Sequence, residues 1–225
     1  MSKLSPSDQG TVDYAAWREL MVQNQLESRG ILDPEVLEAM RRVPREQFVP
    51  VEERDAAYED RPLPIGFGQT ISQPFTVAYT IEALQLRGVE RVLDVGTGSG
   101  YAAAVLSLLA KEVHSVERIP ELAEQARTRL KTLGYNNVEV HVGDGTLGLP
   151  ERAPFDAILV SAGAAQLPTP YFEQLSDQGR IVIPVGEVES SQDLLRFTRH
   201  GDELREANLG LFAFVPLIGE YGWRG

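Results

Sequence analysis

The chain predicts an α/β fold: a doubly wound, mostly parallel sheet of seven strands, with an antiparallel C-terminal hairpin and added N-terminal helices. Three observations predict it. From residue 91 onward, short apolar runs alternate with helical stretches, as in strands joined by right-handed crossovers. Asp94-Val95-Gly96-Thr97-Gly98-Ser99-Gly100 closes the first such run and opens a helix. The last two runs, 192–199 and 203–215, face each other across Gly201-Asp202, an antiparallel edge that an open sheet can carry.

Taken in order, residues 1–12 are polar and are expected to fray. Residues 13–29 read as an amphipathic helix, with Tyr14, Trp17, Met21 and Leu26 near helical spacing and Gly30 as its stop. Asp33-Pro34 starts a short helix carrying Val36, Leu37 and Met40, and Pro44 ends it. Residues 48–68 hold Pro50, Pro62, Pro64, Gly66 and Gly68 and read as a long loop, which in a compact domain is usually functional. A helix follows from about 74 to 86, ended by Gly88. Strands are expected at 91–95, 112–117, 138–142, 155–160 and 179–185, with helices at 101–110, 120–133 and 167–175 between them. No internal repeat or low-complexity tract interrupts them.

The 225 residues suit one domain with one sizeable core. Residues 1–75 form its helical and loop extension, and 76–225 its sheet. With no cysteine, disulfides, thiolate metal sites and cysteine nucleophiles are excluded. The net charge of −12 weighs against a nucleic-acid partner, because phosphates need a basic surface. Lys stands only at 3, 111 and 131; the bias to Arg suits carboxylate recognition, though codon usage is the better explanation of it. Met1 to Asp8 lacks the apolar stretch of a signal peptide, and no run reaches the ~18 apolar residues of a membrane span. A cytoplasmic monomer is expected.

Gly66-Phe67-Gly68-Gln69-Thr70-Ile71-Ser72-Gln73-Pro74 sets two hydroxyls and two amides ahead of a helix that Pro74 can start. Ser72 or Gln73 would cap it, Ser being the better cap. The stretch reads either as an ordinary capped loop or as a site for a small anion such as a carboxylate.

The glycine turn at 96–100 lets a ligand approach the backbone closely. Gly98-Ser99-Gly100-Tyr101-Ala102-Ala103 also fits a dinucleotide pattern. Asp94 argues otherwise, since a carboxylate there suits a cationic or amino-bearing ligand better than a pyrophosphate. The D-x-G-x-G-x-G form resembles the first motif of class I S-adenosylmethionine-dependent methyltransferases. That resemblance assigns Asp94, Gly96, Thr97 and Gly98 to the donor, Glu117 to the ribose hydroxyls, and Asp144 with Gly145 to the adenine end. Taken singly, the two acids also read as a strand-end glutamate and a turn aspartate.

The acceptor narrows by chemistry. Ser161-Ala162-Gly163-Ala164-Ala165 after the fourth strand lacks the Asn/Asp-Pro-Pro-aromatic pattern of amine methylation. His114, His141 and His200 lie in strands or at the hairpin, poorly placed as general bases. A carboxylate, with a pKa of ~4, is already ionised at neutral pH and needs neither base nor metal.

Gly68-Gln69-Thr70-Ile71-Ser72-Gln73-Pro74, Val92 to Tyr101, Ser115-Val116-Glu117-Arg118, Gly143-Asp144-Gly145, Pro154 to Ile158, Gly179 to Gly186 and Phe214-Val215-Pro216-Leu217 together resemble the protein-L-isoaspartate O-methyltransferase family over about residues 14 to 217. The resemblance implies methyl transfer from S-adenosyl-L-methionine to the α-carboxylate of L-isoaspartyl residues in damaged proteins and peptides. It gives Ser72 the catalytic position. Gln69, Thr70 and Ile71 line the donor site, Thr70 and Ser72 also touch the acceptor, and Val215, Pro216 and Leu217 flank the substrate. Phe75 departs from a frequent His. The 219–223 segment is unassigned, with Trp223 read as a packing anchor or a substrate contact. Two further readings remain: a methyltransferase for another carboxylate, and a silent donor-binding or scaffold protein.

Overall fold

A computed structural model describes residues 12–187 and 191–224; the expected frayed segment therefore lies, but for Val12, outside the described residues. The N-terminal part holds α1 (Tyr14–Met21), α2 (Pro34–Arg42), a hairpin of β1 (Leu63–Gly66) and β2 (Gln69–Ile71), and α3 (Pro74–Leu84). The sheet region then runs β3 (Arg91–Val95), α4 (Tyr101–Ser107), β4 (Glu112–Glu117), α5 (Pro120–Thr132), β5 (Val138–Val142), β6 (Phe155–Val160), α6 (Pro170–Gln174), β7 (Leu175–Val185), β8 (Gln192–His200) and β9 (Glu203–Phe212).

Asp13 and Asp33 cap α1 and α2 with their carboxylates, and Pro34 takes the first turn of α2. The expected first helix is less regular than its spacing suggests. After Met21 it passes through a wider π turn at Val22–Leu26 and a tight turn at Glu27–Arg29 before Gly30 ends it. Leu26 and Val22 are buried by this shift, while Trp17 stays on the rim.

The 48–68 stretch is not all loop. It contains a 3-10 segment at Val51–Ala56, and β1 pairs antiparallel with β2, Leu63 opposite Ile71 and Pro64 opposite Thr70. Phe67 (φ 54°) and Gly68 (φ 70°) both take the left-handed conformation of a two-residue hairpin turn. Pro64 is tolerated because the hairpin is only two-stranded, so both strands are edges. The helix that follows also stops early: Gln85 turns left-handed (φ 53°), three residues before Gly88.

The main sheet has the order β5-β4-β3-β6-β7-β8-β9. Its first five members are parallel, and β8 and β9 are antiparallel to their neighbours. Alternate residues along each strand serve separate cores. Val92, Val113, Val140, Ala157 and Val182 pack with the helices α1 to α5. Leu93, Val116, Ile158, Ile181 and Leu195 face the other way, toward Tyr171 of α6, Leu149 and Leu217. This period of two is what a sheet covered on both faces demands. Strand order reverses between β3 and β6, so the carboxyl ends of those strands splay and leave a crevice, where such sheets bind ligands.

Candidate active site

At that crevice the chain turns after β3 through Gly96 (φ 93°), Gly98 (φ 52°) and Gly100 (φ 90°), a left-handed sequence that only glycine follows without strain. The turn is tied down by Gly96 N–H donating to Val116 O (2.9 Å) and by Gly98 N–H donating to a Glu117 carboxylate oxygen (2.8 Å). Glu117, buried at the end of β4, accepts from Ile119 N–H (3.0 Å) with its other oxygen. One backbone bond per oxygen leaves each a free lone pair, enough for the two hydroxyls of a ribose.

One cleft is lined by Gln69, Thr70, Ile71 and Ser72 from the hairpin, Gly96, Thr97 and Gly98 from the glycine turn, Glu117, Gly145, and Val215, Pro216 and Leu217 from the far end of the chain. Twelve of the sequence-predicted site residues thus meet, although they span positions 69 to 217. Beside it runs a second groove bounded by Arg29, Phe75, Leu211 and Phe212. Thr70, Ser72, Thr76, Ser161, Phe214 and Val215 belong to both.

Two predicted residues are not on the wall. Asp94 is fully buried below the turn, where Ser115 Oγ donates to it (2.6 Å) and in turn meets Thr97 Oγ1 (2.5 Å). Burial pushes the Asp94 carboxyl up to about 6; the Ser115 hydrogen bond opposes this and the Glu117 charge adds to it. Asp144 is spent on backbone. One oxygen accepts from Thr146 N–H (2.8 Å) and Thr146 Oγ1 (2.7 Å), the other from Glu220 N–H (2.8 Å). It therefore docks the 219–223 segment, whose Trp223 Nε1 donates to Gly163 O (3.1 Å) and anchors it.

Ser72 does not cap α3. Gln73 stands at the N-cap with no side-chain capping bond, and its amide donates instead to Asp60 (2.8 Å). The Ser72 hydroxyl makes no hydrogen bond among the described residues; its carbonyl accepts from Arg45 (2.8 Å). The buried Arg45 guanidinium also donates to Ala57 O (2.7 Å) and lies 4.9 Å from the Tyr101 ring. It holds Ser72 from behind, a role the sequence did not signal. Phe75 faces the second groove, stacked on Tyr79 at 5.5 Å with the Arg29 guanidinium 3.7 Å over its ring. Asp60 pairs with Arg29 (2.8 Å) as well as with Gln73.

The sheet order, the glycine turn and the acid ending the next strand define a class I S-adenosylmethionine-dependent methyltransferase. Comparison with known proteins narrows the class. Residues 17–222 match the family model for protein-L-isoaspartate(D-aspartate) O-methyltransferase (PCMT), and the chain belongs to that family. It is 59% identical over 207 residues to protein-L-isoaspartate O-methyltransferase 2 of Pelobacter propionicus, covering 92% of each chain. A solved protein-L-isoaspartate O-methyltransferase superposes with a TM-score of 0.82 at 31% identity, over 91% of this chain and 67% of that one. A Plasmodium falciparum structure described as this enzyme in complex with S-adenosyl-L-homocysteine gives 0.78 at 26% identity, over 89% and 98%.

Proposed function

We infer that the protein is a repair methyltransferase, which transfers the methyl of S-adenosyl-L-methionine to the α-carboxylate of L-isoaspartyl residues in damaged proteins and peptides. The observation that carries this reading is the wall shared by the two clefts. Thr70 and Ser72 face both, with hydroxyls that make no hydrogen bond among the described residues. The donor lies in the cleft beside the glycine turn, its ribose on Glu117 and its adenine toward Gly145 and the docked 219–223 segment. Asp94 and Asp144 hold that frame from behind. The acceptor chain lies in the second groove, flanked by Phe214 and Val215, with Pro216 and Leu217 continuing that wall into the donor cleft.

One carboxylate oxygen attacks the methyl carbon in line. The O–CH3 bond forms as the S–CH3 bond breaks, and the electron pair stays on sulfur as neutral S-adenosyl-L-homocysteine. A carboxylate and a sulfonium become two neutral molecules, so no proton moves and the step calls for no metal. What remains for the protein is orientation and removal of water. Ser72 donates its hydroxyl to the second carboxylate oxygen, and the uncapped first turn of α3 adds backbone N–H groups. The ester is a better leaving group than the acid. The neighbouring backbone amide nitrogen attacks the ester carbonyl, the C–OCH3 bond breaks and methanol leaves with the amide proton, closing a succinimide whose hydrolysis returns part of the chain to aspartate.

Residues 1–75 make the helical and substrate-loop extension and 76–225 the donor-binding sheet core, within a chain that acts as a cytoplasmic monomer and binds no nucleic acid. Among the described residues no helix is long and apolar enough to cross a membrane. An isoaspartyl peptide and its normal aspartyl twin, incubated with labelled S-adenosyl-L-methionine, test the reading. Label should enter the isoaspartyl peptide alone; equal labelling of both would remove it.

A further inference from the structure

On the second face of the sheet, away from both clefts, β4 and β5 bring two imidazoles and a carboxylate together. His114 stands opposite Glu139 in the register, and Val116 opposite His141, so Glu139 and His141 project from the same face of β5 toward His114. His114 Nδ1 lies 3.3 Å from His141 Nε2 and 3.5 Å from Glu139 Oε2, and the last two atoms are 3.7 Å apart. The point equidistant from these three atoms lies about 2.0 Å from each, the length of a zinc–nitrogen or zinc–oxygen bond.

The surroundings suit a cation. His114 is buried and its Nε2 has no hydrogen-bond partner among the described residues; Glu112 Oε1 is 3.5 Å away. In the tautomer protonated on Nε2, that proton faces the Glu112 carboxylate and the Nδ1 lone pair is turned toward His141. Metal-bound histidines commonly keep such a carboxylate behind them. Arg152 holds Glu139 by its other oxygen (3.0 Å) and leaves Oε2 turned to both imidazoles. One imidazole N–H donating to the other ring nitrogen would satisfy that pair alone. A shared proton would join two atoms, and here three converge.

We propose that His114, His141 and Glu139 form a binding site for a divalent transition metal of the zinc class. Imidazole and carboxylate donors favour such ions over calcium or magnesium. The open side of the half-exposed Glu139 leaves a fourth position for water. None of the three residues lines either cleft, so the metal takes no part in methyl transfer. It staples the edge strand β5 to β4, and β5 leads directly into Asp144.

Cobalt(II) chloride titrated into the full chain after treatment with a chelator tests the site. One cobalt per chain should bind, with the intense visible spectrum of low-coordinate cobalt, and zinc should displace it. Zinc at about 100 times its Kd should raise Tm by about 5–10 °C. His141→Ala and Glu139→Gln should each weaken binding about tenfold or more while retaining methyl transfer, and His200→Ala should bind as the parent does. A pale six-coordinate cobalt spectrum, unchanged binding in both cluster variants, or loss in His200→Ala would overturn the proposal.

Discussion

Replacing Ser72 with alanine removes one hydroxyl that makes no hydrogen bond among the described residues, so the fold should lose little with it. The backbone carbonyl that Arg45 holds is unaffected. The acceptor carboxylate does lose a partner. A hydrogen bond to a charged group contributes about 1.5–3 kcal/mol. At about 1.4 kcal/mol per factor of ten, kcat/KM for an isoaspartyl peptide should fall about 10- to 150-fold. Calorimetric affinity for S-adenosyl-L-homocysteine and Tm should both match the parent. The reasoning is refuted if turnover is unchanged. It is refuted equally if Tm drops by several degrees, because the hydroxyl would then have a structural partner.

Three further changes separate the parts of the site. Glu117→Gln leaves one oxygen where Gly98, Ile119 and the ribose need two, so S-adenosyl-L-homocysteine should bind about tenfold or more weakly by calorimetry. Arg45→Met strands the carbonyls of Ser72 and Ala57, at about 1–3 kcal/mol each, and should lower both Tm and kcat. The third change concerns pH. Because the folded Asp94 carboxyl titrates near 6 rather than its ordinary 3.8, its stabilisation is complete below pH 3.8 and is lost as pH rises through 6. Asp94→Asn keeps an acceptor for Ser115 without this loss. Relative to the parent, it should gain about 3 kcal/mol between pH 3.5 and 7 in urea unfolding, and a constant difference would dismiss the effect.

The parallel part of the sheet was legible because its strands fall on short apolar runs separated by helices, with the glycine turn placed after the first. Gly96, Gly98 and Glu117 were readable for the same reason: turn glycines and strand-end acids carry a local signal. The β1–β2 hairpin was hidden by Pro62 and Pro64, which argue for loop in any strand with two neighbours, and by Phe67, a bulky residue in a left-handed turn. Ser72 looked like a cap because short polar residues before a helix usually are; here Arg45 holds its carbonyl and the side chain is left to the cleft. Arg45 itself gave no signal, since a single arginine after Pro44 looks like any surface residue. Asp144 and its grip on Glu220 could not be seen either, because 76 positions separate them. The pairing of His114 with His141 depends on strand register, which no single stretch of sequence carries.

The most direct test follows the repair itself. An isoaspartyl peptide held with the enzyme and excess S-adenosyl-L-methionine should pass through methyl ester and succinimide to the normal aspartyl peptide, separable by chromatography. The aspartyl form should accumulate with time in the parent and far more slowly in Ser72→Ala. A parent enzyme that consumes donor while no aspartyl peptide appears would contradict the account.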